Sequence, residues 1–296
     1  MQKLLFAFIL ASFGCLSSCN KEDLVAITPA YVIIDSVFVE TNFTAEGTAS
    51  HRITTVWVEV NGVAQGVYEL PATFPVTASG STRIRIDAGI NENGTSSTRS
   101  IYPFYAHYET TLELSPLDTV LYRKPDGSLP SVKYFPSAEI ITIEDFEGIG
   151  LNLEISPNSD TSIFRITDPD LLYNWNNEPN TAIGAGYLPD RNTIFEVRSG
   201  DDYPIPQGGP VFLEMNYKTD VPIVVGMYIN SLSIGTVQAR TAQINPSETW
   251  KKIYISLYSE VNGYPNPLDF KIFVGALNLE GNGTKTLYID NLKLVY

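Results

Sequence analysis

Cysteine and histidine are nearly absent from this chain of 296 residues. Both cysteines, Cys15 and Cys19, lie within the first nineteen residues, and the only two histidines are His51 and His107. Cysteine-ligated zinc, iron–sulfur clusters and thiol catalysis are therefore excluded for the rest of the chain, as is an internal disulfide. The folded part has to be stabilised by its hydrophobic cores.

Positive charge is scarce as well. The 19 Lys and Arg residues stand against 33 Asp and Glu residues, which gives a formal net charge of −14. A chain this acidic repels phosphate backbones, so we expect no nucleic-acid partner. The sequence also has no nucleophile elbow, no paired-histidine metal motif and no phosphate-binding loop. We therefore expect a protein that is not an enzyme.

The N-terminus holds a short apolar run after Lys3. Residues 4–13 are too few to cross a hydrocarbon core of about 30 Å as a helix, and they are typical of a cleaved signal peptide. Leu16-Ser17-Ser18-Cys19 follows and resembles the lipobox of bacterial lipoproteins. The resemblance implies cleavage after residue 18 and lipidation of Cys19. An ordinary secretory signal that is cleaved nearby is the alternative.

The charged run Lys21-Glu22-Asp23 resembles the surface-export signals of Bacteroidota-type lipoproteins. Acyl chains on Cys19 contribute roughly 0.8 kcal/mol per buried methylene, so two or three of them give a stable membrane anchor. We expect a lipoprotein of the bacterial outer membrane that is exposed at the cell surface. An anchor that faces the periplasm is the alternative.

The rest of the chain is predicted to be all-β. Short runs of β-branched and aromatic residues lie between Gly, Pro, Asn and Asp clusters, and Asn61-Gly62 predicts a two-residue hairpin. We divide the chain into a signal peptide (1–18), a lipidated tether (19–30), an immunoglobulin- or fibronectin-like β-sandwich (31–122), a linker (123–137) and a larger jelly-roll β-sandwich (138–296).

The second sandwich carries a further resemblance at its two ends. It begins with Glu144-Asp145-Phe146-Glu147-Gly148 and ends with Leu287-Tyr288-Ile289-Asp290-Asn291-Leu292. These segments resemble galactose-binding-type jelly-roll domains and related carbohydrate-binding modules. The resemblance implies a structural Ca²⁺ held by Glu147 and Asp290, an ion that takes oxygen ligands. The alternative is an exposed Glu147 and an Asp290 that hydrogen-bonds a neighbouring loop.

A sugar-binding face needs aromatic rings beside polar side chains. The loop 170–178 has this character, with Tyr173, Trp175 and Asn176, and Tyr203 could lie at the same end of the sandwich. The alternative for Trp175 is a loop anchor packed against the edge of the sandwich. Trp250 lies within an alternating strand and is predicted to belong to the core.

The leading hypothesis is a non-catalytic surface lipoprotein whose second sandwich binds a ligand, and the ligand expected is a glycan. The first sandwich would then hold the second away from the membrane. A structural or assembly protein that contacts an outer-membrane partner is one alternative. A glycosidase that uses a carboxylate pair about 5–9 Å apart is the other.

Overall fold

The structure, a computed structural model, describes residues 28–296, so the expected signal peptide and Cys19 lie outside the described residues. The described chain is all-β and forms two β-sandwiches, as the sequence predicts. Two short helices, α1 (Phe43–Glu46) and α2 (Tyr258–Asn262), interrupt its strands. Within residues 28–296, no helix is long and apolar enough to span a membrane.

The N-terminal sandwich has ten strands: β1 (Ala30–Ile34), β2 (Phe38–Glu40), β3 (Thr55–Val60), β4 (Val63–Glu69), β5 (Ala72–Val76), β6 (Gly80–Asn91), β7 (Arg99–Ile101), β8 (Tyr108–Leu114), β9 (Thr119–Leu121) and β10 (Ser131–Lys133). One sheet has the order β4-β3-β6-β7, with β8 also paired to β6, and a smaller sheet has the order β5-β1-β9. Alternate residues of β6 are buried between them, among them Ile84 and Ile86.

The hairpin predicted at Asn61-Gly62 is confirmed. It joins β3 to β4, and its two central residues have φ of 49° and 84°. Positive φ at both positions matches the right-handed twist of the flanking strands, which is why Asn-Gly is favoured there.

Residues 123–137, expected to be a linker, are in part a component of the first sandwich. Strand β10 pairs in parallel with β2, and Val132 and Tyr134 are buried in the N-terminal core. This strand is only three residues long and contains one apolar residue, so it gives no alternating pattern in the sequence.

The C-terminal sandwich has eleven strands: β11 (Ile140–Glu144), β12 (Leu153–Ile155), β13 (Ile163–Ile166), β14 (Ile183–Leu188), β15 (Ile194–Ser199), β16 (Phe212–Thr219), β17 (Ile223–Ser231), β18 (Gly235–Ile244), β19 (Ser247–Ser256), β20 (Pro267–Leu277) and β21 (Lys285–Val295). One sheet has the order β13-β14-β21-β16-β19, with β11 on β21, and the other has the order β12-β15-β20-β17-β18. One continuous apolar core fills the space between them.

The two sandwiches share an interface that is apolar and aromatic. Phe212, Tyr254 and Val295 of the second sandwich are buried within the hydrophobic cluster of the first. Tyr102 packs against both Phe212 and Tyr254, with ring centroids 5.2 Å and 4.9 Å apart. The first sandwich is therefore packed directly onto the second and is more than a spacer.

A buried ion pair lies at the centre of this interface. Glu214 and Lys252 are 2.9 Å apart and almost fully buried. Tyr102 and Tyr134 of the first sandwich donate their hydroxyl protons to Glu214 Oε1 at 2.6 Å and 2.8 Å. Burial alone raises the pKa of Glu214, but Lys252 and Lys293 outweigh it and hold that pKa below its usual value. Glu214 is therefore a buried carboxylate whose charge is compensated within the protein.

Candidate ligand-binding site

The loop between β13 and β14 carries most of the sequence-predicted binding residues. Asn176 and Asn177 have φ of 47° and 60°, a conformation that Asn tolerates better than most residues. The turn is closed by Glu178 N, which donates to Trp175 O at 2.8 Å. The Glu178 carboxylate accepts a hydrogen bond from Ala49 N at 2.9 Å. The loop is thus fastened to the first sandwich.

Aromatic side chains from both sandwiches meet where this loop crosses the interface. The Trp175 ring lies edge-on to His51, with centroids 5.0 Å apart. Trp250 Nε1 donates to Leu171 O at 3.0 Å, and the Trp250 ring lies 5.5 Å from that of Tyr173. These contacts fix the positions of two tryptophans at the domain junction.

An open cleft of about 570 Å³ lies between these side chains. We call it the junction cleft. Its walls are His51, Arg52, Leu172, Tyr173, Asn174, Trp175, Trp250, Lys251 and Lys252. It combines half-buried indole rings with polar and basic groups, and both sandwiches contribute to it.

A smaller cavity of about 190 Å³ adjoins the junction cleft. The two cavities share Arg52, Lys251 and Lys252. The smaller one is rich in carboxamides, and we call it the amide pocket. Its polar lining includes Asn91, Asn93, Gln243 and Asn245. Carboxamides can both donate hydrogen bonds to hydroxyl groups and accept them.

The structure brings together only part of the expected binding set. Trp175 is half-buried and lines the junction cleft, whereas Tyr173 is 7% exposed and presents little of its ring. Burial raises the pKa of Tyr173 to about 12. Asn176 is exposed but does not line the cleft.

Tyr203 lies apart from the other three expected residues. Its backbone pairs with Phe270 of the opposite sheet, with Tyr203 N donating to Phe270 O at 2.8 Å. The side chain is 5% exposed, and burial raises its pKa to about 12. The expectation that it shares one rim with the loop 170–178 is therefore corrected.

Two members of the cleft were missed or misplaced by sequence analysis. Trp250, predicted to be a core residue, is half-buried and lines the cleft, because β19 begins at the edge of the interface. His51 gave no sequence signal, since its partner Trp175 lies in the other sandwich. Burial, with Lys252 nearby, lowers the pKa of His51 to about 4, so its imidazole is neutral at pH 7.

The two carboxylates expected to bind calcium lie close enough to interact. Asp290 is fully buried and accepts hydrogen bonds from Asn180 Nδ2 at 2.6 Å and Asn291 N at 2.8 Å. Burial, together with Glu147 and Asp145, raises the pKa of Asp290 to about 8. Both Glu147 and Asp145 line a cavity of about 190 Å³ beside it.

The oxygen atoms around Asp290 supply some of the ligands that a hard cation needs. Asn180 Oδ1 is buried and has no hydrogen-bond partner in the described part of the chain. The Glu147 carboxylate accepts bonds from Thr181 N and Thr181 Oγ1 at 2.7 Å and 2.5 Å. Among residues 28–296, no group of three or more His, Cys, Asp and Glu is placed to hold a metal ion. Any calcium here would depend on amide, backbone and water oxygens as well.

A second surface, which sequence analysis missed, is the outer face of the sheet β12-β15-β20-β17-β18. At its centre, Tyr228 Oη donates to Glu196 Oε1 at 2.5 Å, and Gln238 Nε2 donates to Glu196 Oε2 at 2.8 Å. Arg198 lies over the Tyr228 ring and pairs with Glu154 at 3.3 Å. The polar groups at the centre of this face are thus largely occupied by one another.

No protein-family model matches the sequence, and no curated protein matches it. Solved structures of similar fold include one of the carbohydrate-binding modules of the β-sandwich superfamily. It is 11% identical with a TM-score of 0.40, and the match covers 90% of this chain and 97% of that chain. A family 11 carbohydrate-binding module of a Clostridium thermocellum cellulosomal cellulase is 16% identical, with a TM-score of 0.35 and coverages of 53% and 94%.

The enzymatically active domain of a bacteriophage CBA120 tailspike protein is also similar. It is 12% identical with a TM-score of 0.42, and the match covers 60% of this chain and 26% of that chain. At these identities and TM-scores the similarity is one of general fold. It carries no argument about a ligand, which has to come from the site itself.

Proposed function

We propose that this protein binds a glycan in the junction cleft without cleaving it. The observation that carries the proposal is the open cleft in which Trp175 and Trp250 lie beside polar side chains from both sandwiches. Aromatic rings offer a large rigid apolar surface, against which the C–H groups of a pyranose ring can pack. A few placed polar groups then fix the orientation of the ligand.

The amide pocket supports the same proposal. It shares Arg52, Lys251 and Lys252 with the cleft, so a ligand longer than one sugar can contact the tryptophans and the carboxamides together. A chain of hydroxyl-bearing rings matches this order of apolar and hydrogen-bonding surface. Glycoside hydrolysis uses a pair of carboxyl groups. Among the described residues, no Asp or Glu lines either cavity, which favours binding over hydrolysis.

The expected location and anchor belong to the same proposal. Lipidation at Cys19 would attach the chain to the outer membrane of a bacterium, and the run Lys21-Glu22-Asp23 favours its outer surface. A glycan-binding protein anchored there would hold polysaccharide close to the cell. Labelling with radioactive palmitate tests the anchor, and loss of label in Cys19→Ser is the expected result.

We further propose a structural Ca²⁺ held by Asp290 and Glu147. The buried, partner-free Asn180 Oδ1 and the raised pKa of Asp290 both indicate that a positive charge would be stabilised there. Asp290, Glu147 and Asn180 would supply oxygens to the ion. Such an ion would tie β21 to the loops that follow β11 and precede β14.

A glycan array with the chain from residue 20 onward tests the proposed function, because residues 28–296 contain both hydrophobic cores. We expect binding to at least one polysaccharide class. Trp175→Ala should weaken that binding about tenfold or more, as truncating a tryptophan at the centre of a contact does. Trp175 is only half-buried, and an unchanged melting temperature would show that the variant folds.

The matched control is Tyr228→Ala, which removes an aromatic ring from the outer sheet face and leaves the junction cleft intact. Unchanged affinity in this variant is expected. If Tyr228→Ala abolished binding while Trp175→Ala did not, the cleft would not be the binding site. If no glycan class bound at all, the proposed function would be wrong and the assembly alternative would stand.

A further inference from the structure

The charged lining of the junction cleft is entirely cationic, although the chain as a whole has a formal net charge of −14. Arg52, Lys251 and Lys252 line both the cleft and the amide pocket. Two other cavities have linings of mixed charge. The one beside Asp290 contains Asp145 and Glu147 as well as Lys293, and the one on the outer sheet face contains Glu196 as well as Arg240.

Two of these cations form no ion pair within the described residues. None of the ion pairs formed among residues 28–296 includes Arg52 or Lys251. Arg52 is exposed and Lys251 is half-buried. Lys252 differs, because Glu214 compensates its charge at 2.9 Å. The positive potential in the cleft therefore comes mainly from Arg52 and Lys251.

The acidic residue Glu178 follows Trp175 in the loop between β13 and β14. The Glu178 carboxylate accepts hydrogen bonds from Thr48 Oγ1 and Ala49 N, and Glu178 lines neither cavity. Lys293 is fully buried and donates to Thr48 O at 3.0 Å. Neither Glu178 nor Lys293 lines the cleft, so its charged lining consists of Arg52, Lys251 and Lys252.

The same two cations belong to the lining of both cavities. Arg52 and Lys251 line the cavity that holds the tryptophans and also the one that holds the carboxamides. A ligand that spans both cavities can therefore contact these cations. The planar guanidinium of Arg52 matches carboxylate or sulfate groups with two parallel hydrogen bonds.

From these observations we infer that the junction cleft selects an anionic glycan, one whose sugar rings carry carboxylate or sulfate groups. The inference rests on the proposed glycan-binding function and narrows it to a ligand class. The aromatic rings contact the sugar ring, and Arg52 and Lys251 bind its anionic substituent. An uncompensated cationic lining favours a ligand that carries negative charge.

Four probes test the ligand class and separate the two anion types. Oligogalacturonate is compared with its fully methyl-esterified form, and a sulfated galactan is compared with its desulfated form. We expect binding to at least one charged member and at least tenfold weaker binding to its uncharged partner. The charged member that binds identifies the anion as carboxylate or sulfate. Equal affinity for charged and uncharged partners would overturn the inference.

Charge variants locate the contact. Arg52→Gln and Lys251→Gln should each weaken binding of the charged probe about tenfold, the size expected when a charge-assisted hydrogen bond is lost. Arg240→Gln is the matched control, since it makes the same charge change on the outer sheet face. It should leave affinity unchanged. An equal loss in all three variants would indicate long-range charge alone and overturn the assignment to the cleft.

Salt dependence gives an independent readout. Raising NaCl from about 0.1 M to 1 M shortens the Debye length from about 10 Å to 3 Å, which should weaken binding of the charged probe in the wild type. Arg52→Gln should show a shallower salt dependence.

Failure of the inferred ligand class and failure of the proposed function give different results. If neutral glycans bind independently of salt and this binding is lost in Trp175→Ala, the anionic ligand class is wrong but the glycan-binding function stands. If no glycan binds at all, both the ligand class and the function are wrong.

Discussion

Glu214 and Asp290 are two buried carboxyl groups on paired strands of one sheet, yet their environments are opposite. Both are fully buried, and β16 and β21 lie side by side. Lys252, Lys293 and two tyrosine hydroxyls keep Glu214 ionised, and its pKa is lowered. Burial raises the pKa of Asp290 to about 8. Cationic residues of the chain compensate the charge of Glu214. Asp290 forms no ion pair within the described residues, so a proton or an external cation would have to neutralise it.

The comparison also separates the roles of the two sites. The Glu214 cluster joins residues of both sandwiches, so it stabilises the junction on which the cleft depends. Asp290 lies within the second sandwich and accepts a hydrogen bond from Asn180 of the loop between β13 and β14. The charge at the junction is thus compensated without a ligand, and a cation at Asp290 would add to the stability of the loop.

The largest expected effect follows removal of the compensated carboxylate. Glu214→Ala should lower the free energy of unfolding by about 3–5 kcal/mol, because it leaves Lys252 buried without a counter-charge. Chemical denaturation followed by tryptophan fluorescence measures it. The two sandwiches should lose stability together. A loss below 1 kcal/mol would show that the cluster does not hold the junction.

A cation at the uncompensated carboxyl gives the next effect. Calcium at one hundred times its dissociation constant should stabilise the protein by about 2.7 kcal/mol, since it binds the folded state only. Melting temperatures in calcium and in EDTA measure this difference. Asp290→Asn should abolish the difference, whereas Asp118→Asn in the first sandwich should retain it. Equal melting temperatures of the wild type in both buffers would contradict the proposed calcium site.

The pH dependence of the calcium-free protein sharpens the same point. The folded pKa of Asp290, about 8, lies above its ordinary value of 3.8, so this group favours the folded state fully below pH 3.8. That contribution is lost as the pH rises towards 8. In EDTA, the wild type should therefore lose stability relative to Asp290→Asn as the pH rises from 5 to 8. A constant difference would mean that Asp290 is not perturbed.

The smallest effect is expected for an exposed ion pair. Arg83 and Glu109 are 3.7 Å apart, and both side chains are more than a third exposed. Arg83→Ala should change the free energy of unfolding by less than about 1 kcal/mol, because solvent screens such pairs. A loss comparable to that of Glu214→Ala would show that burial is not what distinguishes these carboxylates.

The local features of the fold could be predicted from the sequence. The all-β class and the Asn61-Gly62 hairpin follow from residue type and turn chemistry. These features depend on neighbours within a few residues, so a single sequence contains enough information to find them.

The junction could not be predicted from the same information. Tyr102 and Glu214 are 112 residues apart, and nothing in either segment indicates that they meet. A strand pattern assigns a residue to one face of a sheet but does not say what covers that face. For that reason Trp250 was predicted to lie in the core, and His51 was not assigned to a site.

The central claim is that a glycan contacts the tryptophans of the junction cleft. Trp57, Trp175 and Trp250 are the three tryptophans of the chain, and only Trp57 lies outside the cleft. A titration of Trp57→Phe with the charged probe, followed by tryptophan emission, therefore reports on the cleft alone. The account predicts a saturable change in emission with the affinity of the wild type. Binding of the probe with no change in emission would contradict it.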